Sequence, residues 1–178
     1  SRTWKACWCR SWRRARCDRP AIRTNGSLCY EVLDVTDPAA PVFVTTIAET
    51  GISSRPESGR GSRETHKFQW DCATGMAYLN GTAAGWRVTR VLQVFDLGDP
   101  TAPKHVRDFG LPGYEPTSSE PYPEPQVAGL HQPFVAGNRM YLGYNSGEEG
   151  TLQIVDRDRF MNGDAEPTEA SLRAPEIG

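Results

Sequence analysis

Two histidines occupy matching places in this chain of 178 residues. His66 lies in Thr65-His66-Lys67-Phe68-Gln69-Trp70, which leads to Gly75-Met76-Ala77-Tyr78-Leu79. His131 lies in Leu130-His131-Gln132-Pro133-Phe134-Val135, which leads to Gly137-Asn138-Arg139-Met140-Tyr141-Leu142. The two imidazoles are 65 residues apart. Imidazole suits copper, zinc, iron and nickel, so two that converge from equivalent strands would form part of a transition-metal site. The favoured, plainer reading is that each histidine satisfies a hydrogen bond between neighbouring units. Lys67, Trp70 and Gln132 flank the pair and are candidate ligand-binding residues. Alternation along a strand sends His66, Phe68 and Trp70 to one face, and Lys67, Gln69 and Asp71 to the other. Asp71 could then orient a ligating histidine through a hydrogen bond.

These residues sit inside a repeated phrase. Val32-Leu33-Asp34-Val35-Thr36-Asp37-Pro38-Ala39-Ala40-Pro41 returns as Val94-Phe95-Asp96-Leu97-Gly98-Asp99-Pro100-Thr101-Ala102-Pro103. Ile154-Val155-Asp156-Arg157-Asp158-Arg159-Phe160 is a third copy without the Asp-Pro turn. Asp34, Asp96 and Asp156 are 62 and then 60 residues apart, a period that points to an array of similar units. An aspartate before a turn bonds to the backbone two residues on, and proline presets φ, so these aspartates are read as structural. A β-rich run, an Asp-Pro turn and a second run, Val42 to Ile47 or Lys104 to Phe109, predict a hairpin. With the histidine strand and the Met/Tyr strand, each unit has four strands, the content of a propeller blade.

The Leu-Gln-Ile-Val-Asp and Val-Leu-Asp-Val-Thr-Asp-Pro phrases resemble the LVIVD repeat of bacterial propeller-like proteins, over residues 28 to about 160. The resemblance implies a β-propeller and an exported protein, and says little about chemistry. In such a fold the first strand of each blade lines the central channel, which would bring His66 and His131 toward its mouth. That arrangement is similar to the channel histidines of some propeller oxidases and selenium-binding-type proteins.

Propellers close with about 4–8 blades, so about three blades are expected to be part of a longer array or to find their neighbours in another copy. Open blade edges invite self-association. The chain is 38% hydrophobic, with net charge −2 and a mean hydropathy of −0.56. No run of about 18 apolar residues occurs, so no membrane span is expected. Seventeen glycines and fourteen prolines suit a turn-rich β protein, and the best helix candidate is the tail from Pro167 to Leu172. No phosphate-cradling glycine loop, nucleophile elbow or His-Glu-x-x-His pattern occurs.

Residues 1–23 stand apart, with seven arginines and one lysine against one acid. Arginine and tryptophan there could meet phosphates and bases. Cys7, Cys9 and Cys17 could ligate a metal, but their spacing matches no common zinc pattern. The mixture also fits a GC-rich gene read out of frame, which is the reading adopted, and no nucleic-acid partner is expected. No apolar stretch follows the charges, so no signal peptide is visible. Cys29 and Cys72 are each read as small buried hydrophobes, or as a pair in an exported protein. Asn25-Gly26-Ser27 and Asn80-Gly81-Thr82 match a glycosylation acceptor but are read as turns. Residues 50–64 and 111–129 are loops on one rim, mainly solvated. The alternating run Trp86 to Arg90 is expected to show a solvated basic side. Asp156 to Asp164 has a weak calcium-loop flavour without the ordered oxygen spacing.

The sequence thus predicts an all-β chain: a partial β-propeller of about three four-stranded blades, with an irregular N-terminal segment over 1–23. The blades fall near 24–49, 65–110 and 130–160 within a repeat region of 24–178. The expected function is a non-catalytic, extracytoplasmic (periplasmic or secreted) scaffold binding a protein or small ligand at its loop rim. The alternative is a metal-dependent, oxidase-like enzyme using copper, zinc or iron at His66 and His131.

Overall fold

The structure is a computed structural model that describes residues 14–16, 28–48, 67–124, 127–146 and 149–178. The calls on the remaining N-terminal residues, on the 50–64 loop and on Asn25 and His66 lie outside the described residues. Among the described residues the fold is mostly β, with three antiparallel sheets that close no barrel. The first sheet joins β1 (Arg14–Arg16), β2 (Leu28–Asp34) and β3 (Val42–Ala48). The second is an in-order meander of β4 (Phe68–Asp71), β5 (Met76–Gly81), β6 (Val91–Asp96) and β7 (Lys104–Phe109). The third contains β8 (Gly129–Ala136), β9 (Arg139–Ser146) and β10 (Glu149–Asp156). Helices α1 (Arg157–Asn162) and α2 (Glu169–Arg173) follow. β1 falls in the segment expected to be irregular. Ladder pairing with β2 needs only backbone groups, so no side-chain period announced it.

The repeated phrase folds the same way twice. In the first sheet Leu33 pairs with Phe43 and Val32 with Thr45, which leaves Val44 as an extra residue. In the second, Phe95 pairs with His105 and Val94 with Arg107, which leaves Val106 extra. Each residue of one hairpin lies 62 positions before its counterpart, so register and bulge repeat together. The turns repeat as well. Asp34 Oδ1 accepts the Thr36 N–H at 2.9 Å, and Asp96 Oδ1 accepts the Gly98 N–H at 2.7 Å. Asp37 and Asp99 each accept an N–H two residues on, at 3.0 Å.

The third copy diverges where its phrase does. Asp156 Oδ1 accepts the Arg159 N–H at 3.0 Å and caps α1 instead of opening a turn. The region with calcium-loop flavour is therefore a helix and its C-terminal exit. After α2, which forms in the expected tail, the chain returns beside β10. Asp156 N–H donates to Pro175 O and Ile177 N–H to Ile154 O, both at 2.9 Å. Residues 175–178 thus stand beside β10 as β7 stands beside β6.

The second sheet lies between the other two. Ala77, Leu79, Phe95 and Leu97 pack on Tyr30, Val32 and Ile47 of the first sheet. Tyr78, Leu92 and Val94 pack on Leu130, Val135, Met140 and Leu142 of the third. This follows from period-2 alternation in strands apolar on both faces.

Two expectations about surface are overturned. Residues 82–90 form an irregular connection that buries Ala83, Trp86 and Val88 between the second and third sheets. Its arginines serve as staples, not as a solvated face. Arg87 Nη1 donates to Gly113 O and to Ser118 Oγ, each at 3.1 Å, and the guanidinium lies 4.1 Å from the Tyr122 ring centroid. Arg90 Nε donates to Leu130 O at 3.0 Å. The loop 111–129 is likewise not simply solvated, because Tyr114, Glu115 and Val127 are buried. Tyr114 and Val127 belong to the core shared by the second and third sheets, and Leu111 and Tyr122 pack against it.

Candidate functional site

The three sheets meet at the end of β5, on the fully buried side chain of Asn80. Asn80 Oδ1 accepts the Lys67 N–H at 2.7 Å, just before β4. Asn80 Nδ2 donates to Leu130 O at 3.0 Å and to His131 O at 2.7 Å, in β8. From the first sheet, the Tyr30 hydroxyl donates to Asn80 O at 2.8 Å. A buried amide is tolerated only when its donors and acceptor are used, and here they join two strand starts. Asn80 is therefore a junction between sheets. It is neither the turn nor the accessible acceptor that its Asn-Gly-Thr context suggested.

The junction gathers three of the candidate site residues. Lys67, His131 and Gln132 are all exposed around it. Leu130 pairs with Tyr144 and Gln132 with Gly143, so His131 is the extra residue of a β-bulge. Bulges re-aim side chains and are enriched beside functional sites. Trp70 is not part of the group. It follows Phe68 by two residues, shares its face, and packs half-buried against the first sheet. Asp71, at the far end of β4, is committed to Arg157 Nη2 at 2.5 Å and to the Ala73 N–H at 3.1 Å. It is thus a link to α1 and not an orienting group for His131. Burial pushes its carboxyl up, but hydrogen bonds from Thr74, Arg157 and the Ala73 N–H prevail and hold it below the ordinary range.

Among the described residues, no three His, Cys, Asp or Glu side chains are grouped closely enough to hold a metal ion. The third histidine, His105, lies on β7, with Nε2 2.8 Å from Asp108 Oδ1 and its ring edge-on to Phe95. Cys72 is exposed and disulfide-bonded, so it is not a small buried hydrophobe. The side chain of Cys29 lies outside the described residues. No helix among the described residues is long and apolar enough to cross a membrane.

Two long-range devices went unnoticed in the sequence, one between sheets and one from a sheet to α1. Gln69 Nε2 donates to Val135 O at 2.8 Å, and its Oε1 accepts the Val135 N–H at 2.6 Å, so this side chain mimics a strand along β8. The buried Arg107 donates to the carbonyls of Phe160, Gly163 and Asp164, closing the C-terminal end of α1. Beside it lies a cavity of about 250 Å³ between Arg159, Phe160, Thr168 and Ala174. Only the position of Gln69 opposite its strand-mates Phe68 and Trp70 hinted at such a role. No protein-family model, curated protein or solved structure matches the chain.

Proposed function

We propose that the three sheets are propeller-type blades of the LVIVD-repeat kind, and that the protein is a non-catalytic binding scaffold. Its ligand, a protein or a small molecule, is met at the rim formed by Lys67, His131 and Gln132. The observation that carries this reading is the Asn80 junction. It ties the starts of two consecutive blades together beneath three exposed polar side chains. The equal register and bulge of the two Asp-Pro hairpins support the repeat. An extracytoplasmic location belongs to the same reading, and the disulfide at Cys72 supports an oxidising compartment.

The competing metal-dependent enzyme is separated by titrating the full chain with Cu(II), Zn(II) and Fe(II), alone and as His131→Ala. The scaffold reading expects no stoichiometric binding that depends on His131. One equivalent bound by the wild type and lost in His131→Ala would replace it with the metal-centre reading.

A further inference from the structure

The three copies of the repeat differ most in what joins their last two strands. Residues 35–41 connect β2 to β3 and residues 97–103 connect β6 to β7, each through an Asp-Pro turn. Residues 157–174 make the corresponding connection in the third sheet, and they carry α1 and α2. An insertion into one unit of a repeat is a common place for a binding site. These helices border the cavity of about 250 Å³, which Arg107 lines from the second sheet. The first sheet has Thr45 at the position of Arg107, so the arginine and the inserted helices occur together. Because Arg157 meets Asp71, α1 starts at the end of β4 away from Lys67, and the cavity is separate from the rim of Lys67, His131 and Gln132.

Arg107 is 5% exposed. Its Nη1 donates to Phe160 O and Gly163 O, its Nη2 donates to Asp164 O, and its buried Nε has no hydrogen-bond partner. Carbonyl oxygens carry only partial charge, and a buried full charge is as a rule paired. Among the described residues no carboxylate lies within ion-pair distance of Arg107. Asp164 acts on it through space, while Asp164 Oδ1 accepts the Glu166 N–H at 3.0 Å. Burial outweighs that help and holds the Arg107 pKa below the ordinary arginine value. Arg159, on the exposed wall, makes no ion pair among the described residues. Its backbone N–H donates to Asp156, whose carboxylate is bridged by Arg139 at 3.6 Å. Thr168 Oγ1 accepts the Ser171 N–H at 3.2 Å and gives its own proton to no group among the described residues. The wall thus carries two guanidiniums, one carboxylate and an unused hydroxyl donor, and Phe160, Ala170 and Ala174 make it otherwise apolar. Closing the end of α1 accounts for three bonds of Arg107, but for neither Arg159 nor the cavity. The space suits a molecule smaller than a typical drug-sized ligand.

We propose that this cavity binds a small organic oxyanion, its oxygens held by Arg159 and Thr168 above the buried charge of Arg107, its apolar body against Phe160, Ala170 and Ala174. Guanidinium and hydroxyl donors recognise carboxylate and phosphate alike. Calorimetric titration of the full chain with benzoate and with phenyl phosphate tests the site, and the stronger of the two identifies the preferred oxyanion. At least one should bind with one-to-one stoichiometry, and its affinity should fall as salt is raised. Benzyl alcohol, which lacks the charge, and inorganic phosphate, which lacks the apolar body, should each bind at least about fivefold more weakly. Arg159→Gln removes the outer guanidinium and Ala170→Leu fills the cavity with the charges untouched, so each should weaken binding at least about fivefold. Arg173→Gln, on α2 but away from the cavity, should leave affinity within about twofold. Arg107 is kept intact throughout, because α1 depends on it. Amide chemical shifts of the wild type add a reading that needs no variant: those of 159–164 and 168–174 should move, and those of 67 and 131–132 should stay. Absence of binding by both oxyanions would overturn the proposal. So would affinity indifferent to Arg159→Gln and Ala170→Leu, benzyl alcohol or inorganic phosphate bound equally well, or shifts centred on the rim.

Discussion

Asp71 and Arg157 lie 86 positions apart in the chain and meet at 2.5 Å, with both side chains mostly out of solvent. The carboxylate is held ionised below its ordinary range, so the folded state releases its proton more readily than the unfolded chain does. Stability from this pair is present above the unfolded value, near 3.8, and is lost as pH falls through the lower folded value. Asp71→Asn should cost about 1–3 kcal/mol at neutral pH, because Arg157 loses its partner. It should also flatten the acid limb of the stability profile, which urea melts from neutral pH downward would show. Equal acid sensitivity in wild type and variant would deny the link. Their pairing is not marked by local sequence: alternation offered Asp71 as an orienting group for a histidine, and Arg157 is one charge among several within the third phrase.

At the scale of elements, the Asp-Pro hairpins were legible because their contacts are local. An aspartate reaching two residues on leaves a mark in the sequence at fixed spacing, and it does so twice here, 62 residues apart. The connection from β5 to β6 was not legible. Its Trp86-Arg-Val-Thr-Arg alternation reads as a half-exposed strand, yet Trp86 is almost wholly buried and lies over Gly110. A Cβ on Gly110 would come within 2.7 Å of the indole. Gly110→Ala should therefore cost about 1–3 kcal/mol by overpacking, and Trp86→Ala about 3–5 kcal/mol through the cavity it leaves. Thermal or urea unfolding would check both. If Trp86 lay at the surface instead, its truncation would be nearly silent.

For the whole molecule, the decisive residue is Asn80, through which the second sheet holds the third and meets the first. Asn80→Ala strands the Lys67 N–H and the His131 carbonyl and leaves Leu130 O to Arg90 alone, and should cost about 2–4 kcal/mol. Exchange should then quicken at β8 more than at β2 and β3, which reach the Asn80 side chain only through the Tyr30 hydroxyl at 3.3 Å, and that hydroxyl keeps the Asn80 and Lys67 carbonyls. Uniform loss of protection would mean that the sheets unfold as one unit without this junction. The exposed Lys67, His131 and Gln132 depend on the same contact for their proximity, so a ligand met at this rim would be released by the same change.

The sequence alone determined the repeat, its turns and the mostly β class, since these rest on period and on bonds between near neighbours. It also named Lys67, His131 and Gln132, because equivalent phrases carry them at equivalent places. Only the tertiary structure decided that these three come together and that Trp70 and Asp71 do not. Only it showed that Asn80 and Gln69 join sheets, that Arg107 holds the end of α1, and that Phe134, Leu152 and Ile177 stay exposed. The partners that those side chains find beyond their own sheet lie 50 to 66 positions away. No spacing rule reaches that far, and such contacts exist only once each sheet has been laid against the next.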